Sequence, residues 1–152
     1  MKVQILGIGR IREAFYREAV EHYLVRIRRY VPIELKETAK ERTGRPQDLE
    51  TAYAKVRRDH VKAGMPVALD KGGKAVSSEE LAAWLEKAML DGLDIVSFVI
   101  GGPHGLAPSA LKDSRQVLSL SALTLPHQMA RLVLAEQIYR ALSIIRGEPY
   151  HK

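Results

Sequence analysis

Apolar residues recur along this chain in two rhythms that exchange repeatedly. Val3 to Gly7 is a short apolar run that predicts a first strand. From Glu13 to Tyr30 the apolar positions Tyr16, Ala19, Val20, Tyr23, Leu24, Ile27 and Tyr30 fall at steps of three and four, which predicts a helix with one buried face. Pro32 stops it. Ile33 to Lys36 predicts a second strand, and the polar stretch from Lys40 to Gln47, with Gly44 and Pro46, predicts a loop. Asp48 is the expected cap of a helix whose inner face is Leu49, Ala52, Tyr53, Val56 and His60, ending at Gly64. Pro66 to Leu69 predicts the third strand.

Ser77 and Glu80 have capping-box spacing, so a helix is expected from about Ser78 to Leu90, ending near Gly92, with Trp84 in the core. Ile95 to Ile100 is nearly all apolar and rich in β-formers, the pattern of a central strand covered on both faces. A turn-rich stretch from Gly101 to Pro108, a short helix near Ser109 to Asp113 and a strand at Gln116 to Leu120 follow. The last helix is predicted from His127 to Ile145, carried by Ala130, Val133, Leu134, Ile138, Ala141, Leu142 and Ile145, with Gly147 as its stop. Strands alternating with helices predict one α/β domain over residues 1–152, a mostly parallel sheet with helices on both faces. The last helix is apolar over more than one stripe, which suits either a partner chain or burial within the monomer.

Composition narrows the class. With 152 residues, 46% hydrophobic and 28% charged, the chain reads as globular and soluble, with no apolar run near the ~20 residues of a membrane span. The opening run is too short and too early for a secretory leader. The absence of cysteine excludes disulfides, thiolate metal sites and thiol nucleophiles, and the cytoplasm is the expected compartment. Residues 1–62 hold fifteen Lys and Arg against nine Asp and Glu, while the rest of the chain is balanced, so the whole surplus of six is N-terminal. Arg26, Arg28, Arg29, Lys36, Lys40, Arg42, Arg45, Lys55, Arg57, Arg58 and Lys62 offer a positive face for a phosphate backbone or, with Glu13, Glu18 and Glu21 interleaved nearby, an ion-paired surface.

Three segments carry candidate chemistry. Gly101-Gly102-Pro103-His104-Gly105 follows the central strand at its carboxyl end, where open α/β sheets bind ligands. It is either a connecting turn or a place where backbone approaches a bound molecule; its spacing is neither a dinucleotide fingerprint nor a P-loop. Leu118 to His127 alternates small, hydroxylated and apolar residues, as a plain strand would and as an adenine pocket would. The ending Tyr150-His151-Lys152 is either frayed surface or a stacking ring, a proton acceptor and a phosphate contact in sequence. His22, His60, His104, His127 and His151 make no metal-ligand spacing, so no metal is expected, and no G-x-S-x-G elbow points to a serine hydrolase.

The Gly-Gly-Pro-His-Gly turn, the segment Leu120-Ser121-Ala122-Leu123-Thr124-Leu125-Pro126-His127 and the ending Tyr139-Arg140-Ala141 through Tyr150-His151-Lys152 together resemble the ribosomal RNA large subunit methyltransferase H family, of the SPOUT class. The resemblance spans the chain from Met-Lys-Val-Gln-Ile-Leu onward and is dense over residues 98–152. It implies a SPOUT domain with a C-terminal trefoil knot, which pattern alone never predicts because threaded chains are so rare. It also implies a homodimer that uses S-adenosylmethionine to methylate N3 of a pseudouridine of 23S rRNA in the assembled ribosome. Carried over position by position, it implies cofactor contacts at Leu69, Gly101, Leu120, Ser121, Ala122, Leu123, Thr124 and Leu125, and substrate handling by Tyr150 and His151. Lys152 stands where some relatives carry Arg, which puts a bidentate phosphate contact there in doubt; His104 stands where others carry different side chains.

On this reading His151 is the expected base for the N3 imide proton, Tyr150 holds the ring, and Arg131 is the expected contact to RNA or to the partner subunit, in competition with a structural ion pair. A noncatalytic ribosome-binding protein and a small-molecule methyltransferase are the rival classes. The first binds RNA without cofactor, and the second needs no basic face.

Overall fold

A computed structural model describes residues 1–38, 43–61 and 64–152; Lys40, Arg42 and Lys62 of the basic set lie outside them. The elements are β1 (Lys2–Ile8), α1 (Ala14–Ile27), β2 (Ile33–Thr38), α2 (Pro46–His60), β3 (Met65–Ala75), α3 (Ser78–Leu90), β4 (Ile95–Ile100), α4 (Pro108–Asp113), β5 (Gln116–Ser119) and α5 (His127–Ile145). The strands form one sheet in the order β2-β1-β4-β3-β5, every pairing parallel.

Alternation along each strand divides the core. Val3 and Ile5 of β1, Val67 of β3 and Val96 and Phe98 of β4 face α1, α3 and α5, whereas Leu6, Ile8, Ala68 and Val99 face α2 and α4. This two-sided burial explains why β4 reads as an unbroken apolar run. Topology fixes which helix goes where. Right-handed crossovers from β1 to β2 and from β3 to β4 step the same way along the sheet and put α1 and α3 on one face. Those from β2 to β3 and from β4 to β5 step the other way and put α2 and α4 opposite. The loop leaving β4 therefore crosses to the face opposite the loops leaving β1 and β3, and a crevice opens on either side of it at the carboxyl edge.

Boundaries differ from the sequence reading where hydrogen bonding outvotes periodicity. α1 ends at Ile27 rather than Tyr30, because Arg28 to Tyr30 turn away. Asp48 does not cap α2: Arg45 is the N-cap, Pro46 takes the first turn where its missing N–H costs nothing, and Asp48 accepts from Thr43 Oγ1 inside that turn. β3 continues past Leu69 to Ala75, pairing with β5 twice across a register shift between Leu69 and Lys74. Trp84 is half-buried, its ring edge-on to Phe98 at 6.2 Å. The Ser77–Glu80 capping box is present with both its hydrogen bonds. No helix among the described residues is long and apolar enough to cross a membrane.

At the outer part of the sheet, Glu34 accepts from Gln4 Nε2 at 2.6 Å and pairs with Lys2 at 2.8 Å. The Lys2 bond, reinforced by Gln4, draws the Glu34 carboxyl from its ordinary value of 4.5 to about 2. A carboxyl depressed by folding stabilises the fold above its unfolded value and withdraws that contribution as pH falls toward its folded value. Glu34→Gln is accordingly expected to flatten the loss of stability between pH 4.5 and about 2, read by denaturant midpoints across that range. An unchanged acid limb would show that this carboxyl is not held by the pair.

Candidate active site

β4 delivers Ile100 to the carboxyl edge, and the chain there doubles back within five residues. Gly102 and Gly105 bridge, Gly105 N–H donates to the Gly102 carbonyl at 3.1 Å, and Gly105 takes a φ of +82°. A Cβ on Gly101 would lie 2.4 Å from the Gly105 carbonyl carbon and oxygen, so only glycine lets this turn close. Opposite it runs the segment after β5. Ser119 Oγ donates to the Ser121 carbonyl at 3.0 Å and Leu123 N–H donates to Ser121 Oγ at 2.9 Å, bonds that hold the segment as a wall rather than a strand. The middle of β3, at its register shift, closes the third side, where Asp70 Oδ1 accepts from Gly72 N–H at 2.8 Å.

These walls enclose a cavity of about 440 Å³. Leu69, Gly101, Leu120, Ser121, Leu123, Thr124 and Leu125 all line it; Ala122 is exposed and is not part of the lining. Ile100, Leu106 and Leu120 make an apolar surface, while the two turns bring backbone donors and acceptors beside it. The volume falls in the ~300–1,000 Å³ range of small-molecule sites.

Gly147, at a φ of +67°, ends α5, and Glu148 N–H donates to the Ser143 carbonyl at 2.9 Å as the chain reverses. Tyr150 returns along α5: its ring meets Tyr139 edge-on at 4.6 Å, Arg140 lies 4.8 Å over its face, and its hydroxyl donates to Glu136 at 3.1 Å. Burial, then hydrogen bonds to Tyr23 and Glu136, push its phenol above the ordinary tyrosine range. His151 Nε2 sits 2.9 Å from Glu79 and Nδ1 3.4 Å from Arg140; Lys152 is exposed. Glu136 and Arg140, the helix residues that hold Tyr150 and His151, are six and ten residues beyond Ala130, the last α5 residue lining the cavity, or about 9 and 15 Å along the helix. Within one chain the tail and the cavity are thus apart.

Arg131 is wholly buried, which removes it from RNA or partner contact. Its Nη1 is 3.0 Å from Glu37 Oε1, and its Nη2 donates to the Ile8 carbonyl at 2.9 Å. The N-terminal basic set is also divided: Arg28 pairs with Glu21, Lys36 with Glu34, Arg57 with Asp113 and Arg58 with Asp59. Sequence reasoning passed over Glu37 and Gln128, which tie down the loop after β1, because nothing in a one-dimensional pattern marks a carboxylate at a strand end as an anchor.

A family described as "Predicted SPOUT methyltransferase" matches residues 1–151. The chain belongs to the SPOUT methyltransferases. It is 44% identical over 159 residues to the "Ribosomal RNA large subunit methyltransferase H" of Syntrophomonas wolfei, covering 100% of both chains. To proteins of the same name from Listeria welshimeri and Syntrophotalea carbinolica it is 42% identical over 161 residues (100% of both) and 39% identical over 154 (99% of both). The fold is shared with solved structures of a probable methyltransferase from Bordetella pertussis, at a TM-score of 0.61 and 15% identity over 92% of this chain and 95% of that one. A probable methylase family protein from Haemophilus influenzae matches at 0.61 and 12% identity over 99% and 70%. SPOUT methyltransferases use S-adenosylmethionine. The residues here fit it: an apolar surface for a purine, flanked by turns that bring backbone groups and the hydroxyls of Ser121 and Thr124 to its polar edges.

Proposed function

We propose that this SPOUT protein methylates N3 of a pseudouridine in the 23S rRNA of the large ribosomal subunit, working on the assembled ribosome as a homodimer threaded by a C-terminal trefoil knot. The observation that carries it is the cavity, where seven of the positions that the family resemblance implies as cofactor contacts converge from three separate segments. Leu69, Gly101, Leu120, Ser121, Leu123, Thr124 and Leu125 would hold the cofactor, with Ala122 at its rim. When bound, S-adenosylmethionine supplies an electrophilic methyl group on a sulfonium.

The chain's own task is to align the ring and to take up a proton, because N3 carries an imide hydrogen and is a poor nucleophile until it is lost. His151 accepts that proton, Tyr150 stacks on the ring, and Lys152 meets a phosphate. Since the tail is held about 9 to 15 Å along α5 from its own cavity and none of its residues lines that cavity, one protomer's tail serves its partner's pocket. The broad apolar face of α5, on which Leu132 and Val133 are half-buried, is the surface for that dimer.

Protein incubated with labelled S-adenosylmethionine and ribosomes from cells lacking the gene should place label on an N3-methylated pseudouridine of large-subunit RNA, identified by mass spectrometry. No label with cofactor bound would mean another substrate; no cofactor binding would favour a noncatalytic role. His151→Ala should lower turnover at saturating substrate by ~10²- to 10⁴-fold. Mixing it with a cofactor-pocket variant should restore about a quarter of wild-type activity, since about half of randomly paired dimers are mixed and each has one intact site. Mixtures as inactive as their parents would place each site within one chain.

A further inference from the structure

We propose that the crevice on the other side of the glycine turn, between the carboxyl ends of β1 and β4, is a subsite that grips the phosphate backbone of single-stranded RNA flanking the target base. It rests on the reading that RNA is the substrate. The crevice is larger than the cofactor cavity, about 660 Å³, and the two share Pro103 and His127 as a common wall. RNA held in one thus has its neighbouring nucleotide at the mouth of the other.

Its charge is arranged for a polyanion. Arg10 and Arg12 from the loop after β1 and Lys55 from α2 line it, all three exposed and, among the described residues, without an ion pair. The two acids in its lining are already engaged: Asp59 with Arg58 at 2.9 Å, and Glu37 with Arg131 at 3.0 Å and with Arg17 at 3.3 Å. The crevice therefore gathers three cations that form no ion pair among the described residues, with Asp59, already bonded to Arg58, the acid that also feels Lys55.

The loop that carries Arg10 and Arg12 is held from behind. Gly9 N–H donates to the Thr38 carbonyl at 3.2 Å, Ile11 N–H to Glu37 Oε1 at 2.8 Å, and Arg12 and Glu13 N–H to Gln128 Oε1 at 2.7 and 3.1 Å. Arg17 donates to the Ile11 carbonyl. Three long side chains from other elements, Glu37, Gln128 and Arg17, thus consume four backbone groups of this loop and fix the backbone that carries its two guanidinium groups. Such preorganisation lowers the ordering cost of binding. Phe15, three residues beyond Arg12 on the first turn of α1, is 61% exposed and supplies a ring on which a base can stack. A mononucleotide would need fewer cations and no open-ended crevice; the spread of charge over a loop and a helix suits consecutive phosphates.

The test is a triple variant, Arg10→Ala, Arg12→Ala and Lys55→Ala, compared with Arg28→Ala, Arg29→Ala and Lys87→Ala, which removes equal charge from the opposite edge of the sheet. Binding of a short fluorescein-labelled oligouridylate is followed by anisotropy against salt, alongside methylation of ribosomes and calorimetric titration with S-adenosylmethionine. The crevice variant should lose about 2 units of the log–log salt slope, near 0.7 for each phosphate released from a single strand. It should also raise KM for ribosomes at least tenfold while keeping kcat and cofactor affinity, the pattern of lost uniform binding. The opposite-edge variant should match wild type. A crevice variant with wild-type slope and KM, or an opposite-edge variant with equal losses, overturns the subsite while wild-type methylation keeps the RNA reading. Wild-type protein that neither binds the probe nor methylates ribosomes overturns both.

Discussion

Arg131→Met is expected to lower the stability of the fold by about 3 kcal/mol, the cost of leaving a buried carboxylate without its main counter-charge. For a domain of this length that is a fall of about 6–12 °C in the melting midpoint. Arg131 spans three elements: it projects from α5, pairs with Glu37 at the end of β2 and donates to Ile8 at the end of β1. Its guanidinium also lies over Gly7, where a Cβ would come within 2.7 Å of Cζ and Nε. The loss sits at the low end for a broken buried pair because Glu37 keeps Arg17 and the Ile11 N–H. Adding Glu37→Gln to Arg131→Met removes the stranded charge and should recover part of the loss, a coupling that denaturant titration of the single and double variants measures. Single and double variants of equal, near-wild-type stability would show that the pair does not organise the carboxyl edge.

The second large effect is at the glycine turn. Gly101→Ala puts a Cβ 2.4 Å from the Gly105 backbone, and backbone, unlike a side-chain tip, cannot step aside without opening the turn. We expect a stability loss of about 1–3 kcal/mol from overpacking. S-adenosylmethionine affinity should fall more than tenfold, at least about 1.4 kcal/mol. Gly105→Ala is the informative comparison. Nothing lies within 4 Å of its added Cβ, so it pays only the cost of a left-handed conformation, about 1–2 kcal/mol. Calorimetric titration that finds wild-type cofactor affinity in Gly101→Ala would sink the assignment of this cavity to the cofactor.

The two crevices give the carboxyl edge a division of labour. On the function proposed above, one would receive the methyl donor between β4 and β3, the other, between β4 and β1, would present cations to RNA, and a partner's tail would supply Tyr150 and His151. The glycine turn, crossing to the face opposite its neighbours, separates the two and belongs to both.

Local rules were enough for much of this. The alternation of strands and helices, the buried character of β4, the Ser77–Glu80 cap and the stop at Gly147 follow from patterns within a few residues, and the structure contains them all. The glycine turn and the segment from Leu120 to Leu125 were also legible, because unusual local composition and family resemblance coincide there. The extension of β3 to Ala75 was not, since it depends on a partner strand more than forty residues away.

What the sequence by itself determined is the set of elements and the chemistry available at their ends, because helix and strand periodicity, caps and turns are set by neighbours along the chain. Only the tertiary structure decided which charges are free. Arg131 and Arg10 are alike in sequence, yet one is buried against Glu37 and the other lines an open crevice. The order β2-β1-β4-β3-β5 made that difference, because charges act through space, and which acid meets which base depends on how distant segments pack.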